Sequence, residues 1–383
     1  MSPIRVLADD VIDQIAAGEV VERPSSVVKE LVENALDAGA SSVRVAVRDG
    51  GTAWIQVVDD GCGMAPDEAR LALRRHATSK IGAAVDLETI GSFGFRGEAL
   101  PAIASVSNFR MVTRPSANDE GFEIRLKSGQ VLGEQAVGAP PGTRIEVADL
   151  FESVPARRKF LKRPSTEWSH VVDGVGRLAL ALPEVHFEIR RDEAKPHVWP
   201  ATREPLERVA AVLSEEEASS FISADREAGG VRLRGFVSSP ERTRPNARAI
   251  RVFVNGRPVT DGVIRGALLQ AYRDLLPRGR YPSAVLFLEV PPGAVDVNVH
   301  PAKSEVRFAS PQDIHQLVRR TVRDAMESRN WLAETPSASG FSAVGVSSEA
   351  RSLRRDVAEP GEWIFREGTP AGPAPGARFG EAG

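Results

Sequence analysis

Residues 24–39 read PSSVVKELVENALDAG, with proline where a helix starts and glycine where one stops. Between them Val28, Leu31, Val32, Ala35 and Leu36 make one apolar stripe at helical spacing, which predicts an amphipathic helix laid on a core. Glu30, Asn34 and Asp37 stand at i, i+4 and i+7, so they share a polar face beside that stripe. A carboxylate and a carboxamide one turn apart form a useful chemical pair. The amide oxygen of Asn34 suits Mg²⁺, a hard cation that prefers oxygen ligands, and Glu30 suits the orientation or deprotonation of a water. On the helix alone, a polar face that simply meets solvent is the commoner outcome.

Outward from the helix, Val43, Val45 and Val47 alternate with polar residues, Asp49-Gly50-Gly51 turns the chain, and Ile55 and Val57 resume the alternation. This β-hairpin delivers Asp59 into the loop Asp59-Asp60-Gly61-Cys62-Gly63-Met64. Gly61 and Gly63 allow backbone to approach a flat ligand, and a carboxylate accepts the exocyclic amino proton of adenine. Taken alone, D-x-G-x-G is also the pattern of an ordinary turn. Pro66 opens a second helix to about His76. The segment SFGFRGEAL, residues 92–100, puts glycines ahead of a third helix, GEALPAIASV, whose N-terminal N–H groups and dipole suit phosphate. No Gly-Lys dipeptide occurs, so a Walker-type P-loop is excluded. Alternating runs at 109–113, 122–126, 131–135 and 143–147 predict strands, and the mixture predicts an α+β sandwich over the first ~150 to ~200 residues.

At about Val185 the pattern restarts, with predicted strands VHFEIRR, VRLRGFVSS, AIRVFVNGRPV and SAVLFLEV and helices near 206–213 and 261–275. Asn255-Gly256 is a strong hairpin signal. Beyond Trp331 the composition shifts: 28 of the last 53 residues are Ala, Gly, Pro or Ser, which predicts a disordered linker. The expected domains are 1–200, 201–331 and the tail 332–383. With 383 residues and 42% hydrophobic composition, a single core is not expected.

The charge balance, 49 basic against 52 acidic side chains, is −3 and provides no global positive field for nucleic acid. The single cysteine, Cys62, excludes an internal disulfide framework, fits a reducing compartment, and is expected to pack as a small apolar residue. No apolar run is long enough for a membrane span and no apolar leader opens the chain, so a cytoplasmic protein is expected. The six histidines show no metal-ligand spacing.

Together the motifs become specific. Glu30-x-x-x-Asn34, Asp59-x-Gly61-x-Gly63, Gly94-Phe95-Arg96-Gly97-Glu98 and Gly142-Thr143 occur in the order of the four ATP-site motifs of the gyrase, Hsp90, histidine-kinase and MutL (GHKL) superfamily, which the chain resembles. QIAAGEVVERP, KELVENALDAG, RHATSKI, GFRGEAL, PARRKFL and VNVHPAKSEVRF resemble the MutL family of DNA mismatch repair proteins more closely than its gyrase-type or Hsp90-like alternatives. The resemblance implies a GHKL-type ATPase α/β sandwich, then a second α/β domain of ribosomal-protein-S5-like type.

It further implies slow, Mg²⁺-dependent ATP hydrolysis, with Glu30 activating water, Asn34 holding Mg²⁺ and Asp59 recognising adenine. Gly94, Phe95, Arg96, Gly97, Glu98, Ala99 and Leu100 would wrap the phosphates, Thr143 would support the adenine pocket, Lys80 would lie near the phosphates, and Lys303 would reach the γ-phosphate. One departure is Asp60, where relatives often carry Asn; its added charge is expected to perturb the pocket slightly. A nucleotide-sensing scaffold with little turnover is the alternative of a different class.

Two local patches suit DNA backbone. Residues 151–170 carry Arg157, Arg158, Lys159, Lys162 and Arg163 against Glu152 and Glu167, a local +3. Residues 241–280 carry nine arginines, among them Arg265, Arg273, Arg278 and Arg280, against three acids, a local +6. A solvated basic surface is the plainer reading of both. The implied partners are DNA without sequence readout, a mismatch-recognition protein of the MutS type, and a second copy on ATP binding. The implied setting is the bacterial cytoplasm at the nucleoid. Metal-dependent nicking is not supported by the residues present.

Overall fold

The computed structural model describes residues 17–78 apart from Glu19, 97–296 and 306–328. Helix α1 (Pro24–Asp37) begins with proline at its first turn and ends as the sequence requires. Gly39 adopts φ +74°, its N–H donates to the carbonyl of Leu36, and the Ala40 N–H donates to the carbonyl of Ala35, the paired bonds of a Schellman stop.

The predicted hairpin follows as β1 (Ser42–Arg48) and β2 (Trp54–Asp59), paired antiparallel with Val43 opposite Asp59. Asp49, Gly50 and Gly51 make the left-handed turn between them. A second helix, α2 (Pro66–Ala72), is shorter than predicted: the chain leaves the helix at Leu73 and His76 sits at φ +62°.

After α3 (Ala99–Ser105) come β3 (Asn108–Arg114), β4 (Gly121–Lys127), β5 (Gln130–Val137) and β6 (Gly142–Ala148), matching the four predicted runs. One turn, α4 (Pro155–Arg158), then precedes α5 (Pro164–Ala181). The strand predicted to restart the pattern at Val185 instead joins the first sheet: β7 (His186–Arg191) runs parallel to β1, and β8 (His197–Trp199) closes the edge. The result is an eight-stranded sheet of order β5-β4-β3-β6-β2-β1-β7-β8.

Period-two alternation sends Val43, Val45, Val47, Ile55, Val57, Phe109, Met111, Ile145, Val147, Phe187 and Ile189 to one buried face. There they meet Val28, Leu31 and Val32 of α1, Ile103 of α3 and Val171, Val175 and Leu178 of α5 in one core.

The second sheet contains β9 (Phe221–Ala228), β10 (Val231–Ser238), β11 (Ile250–Val254), β12 (Arg257–Val259) and β13 (Ala284–Glu289), ordered β12-β11-β13-β10-β9. Asn255 and Gly256, both at positive φ, form the predicted turn between β11 and β12. Helices α7 (Gly262–Ala271) and α8 (Pro311–Glu327) cover one face of this sheet. On the other, Phe253 and Val285 pack with Leu180 of α5 and with Val209 of α6 (Pro205–Val212). Both sheets belong to one compact unit. Among the described residues, no helix is long and apolar enough to cross a membrane.

Arg208, on α6, is 1% exposed, and its Nη2 donates to the carbonyls of Pro183, Val185 and Pro200 at 2.7, 2.6 and 2.8 Å. One guanidinium thus gathers the loops on both sides of β7 and β8. Arg208→Met leaves the buried Val185 carbonyl without this donor and removes a guanidinium that ties Pro183 and Pro200 together, and is expected to destabilise the chain by about 1–3 kcal/mol. Equilibrium urea unfolding checks it: the midpoint drops at an unchanged slope.

Candidate functional site

The site grows from the junction between α1 and the loop after β2. The Ala38 N–H donates to the carbonyl of Asn34 at 3.0 Å, and the Ala38 carbonyl accepts the N–H of Cys62, also at 3.0 Å. The helix carrying Glu30 and Asn34 and the loop carrying Asp59 are thereby joined through one residue. Gly61 is needed for the approach: a Cβ there would stand 2.9 Å from that of Ala38. Cys62 itself is exposed, which corrects the expectation that it packs inward. Its backbone amide, not its thiol, is what the junction uses.

Asp59 ends β2 opposite Thr143, the second residue of β6. Its Oδ1 accepts the N–H of Gly61 at 2.9 Å. The Thr143 hydroxyl lies 3.0 Å from that of Thr113, which accepts the N–H of Met64 at 2.9 Å. Asp59, Gly61, Gly63 and Thr143 are therefore brought together around the ends of β2, β3 and β6. Gly142 and Gly63 permit this closeness, since a Cβ on either would meet the carbonyl oxygen of Asp59 or Arg114 at 2.1 or 2.2 Å.

Burial pushes the Asp59 carboxyl up to about 6, although the N–H groups of Gly61 and Thr143 favour its charge. Asp60 adds a smaller push in the same direction. The expected influence of Asp60 is thus present but secondary. Its carboxylate turns to Ser41 and Ser42, accepting both backbone N–H groups at 2.8 Å and the Ser41 hydroxyl at 2.5 Å. Although partial burial opposes it, these donors hold Asp60 below the usual carboxylate range.

Along α1, Glu30 is partly exposed with Oε1 3.5 Å from Lys29 Nζ, while Glu33 is buried and 2.9 Å from the same ammonium. Neither Lys29 nor Glu33 was singled out from the sequence. Their i, i+4 spacing was the available signal, but it is shared by countless solvent-exposed pairs. At the start of α3, Gly97 sits at φ +62°, where a Cβ would lie 2.3 Å from the Ala77 carbonyl oxygen. Glu98 Oε1 is 3.4 Å from His76 Nδ1, and Ala99 and Leu100 open the helix. Lys80, Gly94, Phe95, Arg96 and Lys303 lie outside the described residues.

The basic patches change character in three dimensions. Arg251 is mostly buried against Asp173, Arg242 pairs with Glu216, and Arg244 pairs with Glu217. These acids lie outside the 241–280 window, so the linear charge count overstates the surface charge. Arg265, Arg273, Arg278 and Arg280 remain exposed, with Arg280 hydrogen-bonded to Thr243. In the other patch Arg158 and Lys159 are exposed, whereas the Arg157 guanidinium lies against Gly18 and over the Phe151 ring at 5.9 Å.

The first sheet and this site define an ATPase-type fold: residues 22–152 match the family described as histidine kinase-, DNA gyrase B-, and HSP90-like ATPase. Residues 209–327 match the DNA mismatch repair protein, C-terminal domain family. The chain is 46% identical over 376 residues to DNA mismatch repair protein MutL of Syntrophobacter fumaroxidans, covering 98% of this chain and 56% of that protein. It is likewise 46% identical over 334 residues to that of Geobacter sulfurreducens, covering 87% of this chain and 55% of the relative.

Among solved structures, the Aquifex aeolicus MutL ATPase domain complexed with ADP is 31% identical, with a TM-score of 0.58, covering 79% of this chain and 98% of that one. The N-terminal domain of a DNA repair protein, 20% identical with a TM-score of 0.71, shares the fold. The chain belongs to the MutL family of DNA mismatch repair proteins. It spans a little over half the length of these two relatives.

A carboxyl whose pKa is raised by burial weakens the folded state at neutral pH. Between the unfolded value near 4 and about 6 the folded chain binds the extra proton, so stability falls as pH rises through that window. Asp59→Asn, which mimics the protonated acid, is expected to stabilise the nucleotide-free chain by about 1–3 kcal/mol at pH 7.5 and by little below pH 4. Thermal melts of both proteins across that range measure the difference.

Proposed function

We propose that this chain binds ATP at the junction of α1 with the Asp59 loop, hydrolyses it slowly, and uses the nucleotide to time a mismatch-repair conformational cycle. The observation that carries the reading is the Ala38 bridge, which couples the helix of Glu30 and Asn34 to the loop of Asp59. Family membership supports it.

The donor set suits Mg²⁺ and a triphosphate. Asn34 offers an amide oxygen one turn from Glu30, and Asp59 offers a half-buried carboxylate beside a glycine-lined loop. Bound magnesium would supply neutralisation of phosphate charge as the leaving group departs. Asp59, ionised, accepts a hydrogen bond from the exocyclic amino group of adenine, and Thr143 supports that edge of the pocket. Glu30 takes the proton of the attacking water while the terminal phosphoryl group passes to it and ADP leaves. Gly94 to Leu100 close over the phosphates, Lys80 contributes near them, and Lys303 approaches the terminal one as a point charge.

ATP brings two copies together through differential affinity for the closed arrangement, since equal affinity for both states would shift nothing. Arg265, Arg273, Arg278 and Arg280, with Arg158 and Lys159, contact DNA phosphates without reading bases. A MutS-type protein reports the mismatch, in the bacterial cytoplasm at the nucleoid.

Glu30→Ala is expected to retain ATP affinity within about threefold while losing about 100-fold or more in turnover. Asn34→Ala instead weakens Mg·ATP binding itself. Nucleotide titration beside phosphate-release rates separates the two; full turnover in Glu30→Ala would refute the assignment of Glu30, whereas negligible turnover in the parent chain would favour a nucleotide-sensing scaffold over an ATPase. For DNA, Arg273→Ala with Arg278→Ala should lower the slope of log affinity against log salt by about two, equally for all sequences.

A further inference from the structure

Between α5, β8, the end of α6 and β11 lies a cavity of about 310 Å³, at the small end of the range that ligand sites occupy. Trp168, Val172 and Asp173 line it from one side of α5, at i, i+4 and i+5. His197 and Trp199, alternate residues of β8, share its other wall, and Arg251 enters from β11. Gly176 lets the walls approach: a Cβ there would stand 3.2 Å from Val212 Cγ1 and 3.6 Å from the Trp199 ring.

The lining is aromatic and positively charged. The Trp168 and His197 rings lie 6.2 Å apart at 33°, the first half-buried and the second exposed, while Trp199 is 3% exposed. The Arg191 guanidinium stands over Trp168 at 6.0 Å. Asp173 is answered twice, with Oδ1 3.1 Å from Arg251 Nη2 and Oδ2 2.9 Å from Arg177 Nε. Asp192 lies 3.6 Å from Arg191, so Arg177, Arg191 and Arg251 stand against two aspartates. Arg251 Nε is buried and, among the described residues, finds no acceptor. Such a donor costs free energy until a ligand supplies the missing oxygen or nitrogen.

The approach is basic as well. Arg158, Lys159, Lys162 and Arg163 are exposed in the segment that leads into α5, and Phe160 among them is 81% exposed. The Lys162 N–H donates to Glu167 Oε1 at 2.9 Å, which ties this segment to the helix one residue before Trp168. A flat aromatic wall, an unanswered donor and surplus positive charge select a ligand that is planar, has an acceptor edge and is anionic. An unpaired nucleotide has all three properties; in a duplex the base faces are already stacked on each other. An acidic peptide would match the charge but offers Trp168 no flat face.

We infer that this cavity is a stacking subsite for one base of single-stranded DNA. The base lies against Trp168 and His197, an acceptor on its edge takes the Arg251 Nε hydrogen bond, and the flanking phosphates lie toward Arg191 and the Lys162-Arg163 segment. This rests on the reading of the chain as a DNA-contacting protein, and adds to it a contact that separates single from double strands.

The test titrates a labelled oligothymidylate and a duplex of equal length into the full 383-residue chain at several salt concentrations, with a thermal melt of each variant. Trp168→Ala is expected to weaken single-strand binding about tenfold and His197→Ala about threefold, each with duplex affinity within about twofold and an unchanged salt slope. Trp168→Phe keeps most of the affinity. Lys162→Ala with Arg163→Ala instead weakens both forms and lowers the slope.

If the parent chain binds DNA and a folded Trp168→Ala loses nothing, or loses single strand and duplex alike, the subsite is overturned and the DNA reading stands. Should Trp168→Ala fail to fold, His197→Ala, at an exposed position, decides on the same readout. If the parent binds neither form, the DNA reading falls and the subsite with it. Thymidine monophosphate that saturates the tryptophan fluorescence, while Trp168→Ala leaves strand binding intact, would make this a mononucleotide site and overturn the inference.

Discussion

The hydrogen bond from the Cys62 N–H to the Ala38 carbonyl is the constraint on which the site depends. It joins the C-terminal end of a helix to a loop leaving the neighbouring hairpin, two segments that the core alone would only bring into the same neighbourhood. Ala38 is available because the helix stops there, and the stop is set by Gly39 at positive φ, with Leu36 and Ala35 accepting the two bonds that end it. Gly61 completes the contact by having no Cβ to clash with that of Ala38. One backbone acceptor, two glycines and a helix terminus thus fix how the end of α1 sits against the loop that follows β2.

The cost of that arrangement falls on Asp59. A loop carboxylate in open water would titrate near 4, whereas here burial pushes it to about 6 even with two backbone donors in its favour. A buried acceptor less than fully answered by the protein is poorly placed for stability and well placed for a ligand that brings its own donor. Asp60, one residue on, shows the opposite design. Ser41 and Ser42 satisfy it fully, so it anchors the loop to the start of β1. Adjacent aspartates in one loop therefore have distinct work.

Local chemistry was legible in the sequence; long-range placement was not. Helix α1, the Asp49-Gly50-Gly51 turn, four strands between 108 and 148 and the Asn255-Gly256 hairpin each follow from periodicity and turn residues. The strand at 186–191 also showed its alternation, but the sheet it joins is decided by parallel pairing with β1 across some 140 residues of chain. Helix α5, from Pro164, went unread because Gly174 and Gly176 interrupt its pattern, although Ser165, Ser169, Asp173 and Arg177 form a polar side opposite Val171, Val175 and Leu178; it is flanked by both sheets. Buried Glu33, Arg208 and Arg251 were invisible for a related reason, since charged residues are expected outside unless a distant partner appears. The same blindness made residues 241–280 look more basic than the folded surface is, because Glu216, Glu217 and Asp173 arrive from elsewhere.

The most direct measurement is a crystal structure of this chain with Mg²⁺ and a non-hydrolysable ATP analogue. The Asp59 carboxylate should lie about 3 Å from the exocyclic amine of adenine, the Asn34 amide oxygen should ligand the metal, and Glu30 should face the terminal phosphate. A nucleotide bound with its adenine away from Asp59, or with Glu30 and Asn34 turned from its phosphates, would contradict the reading of this junction as the ATP site.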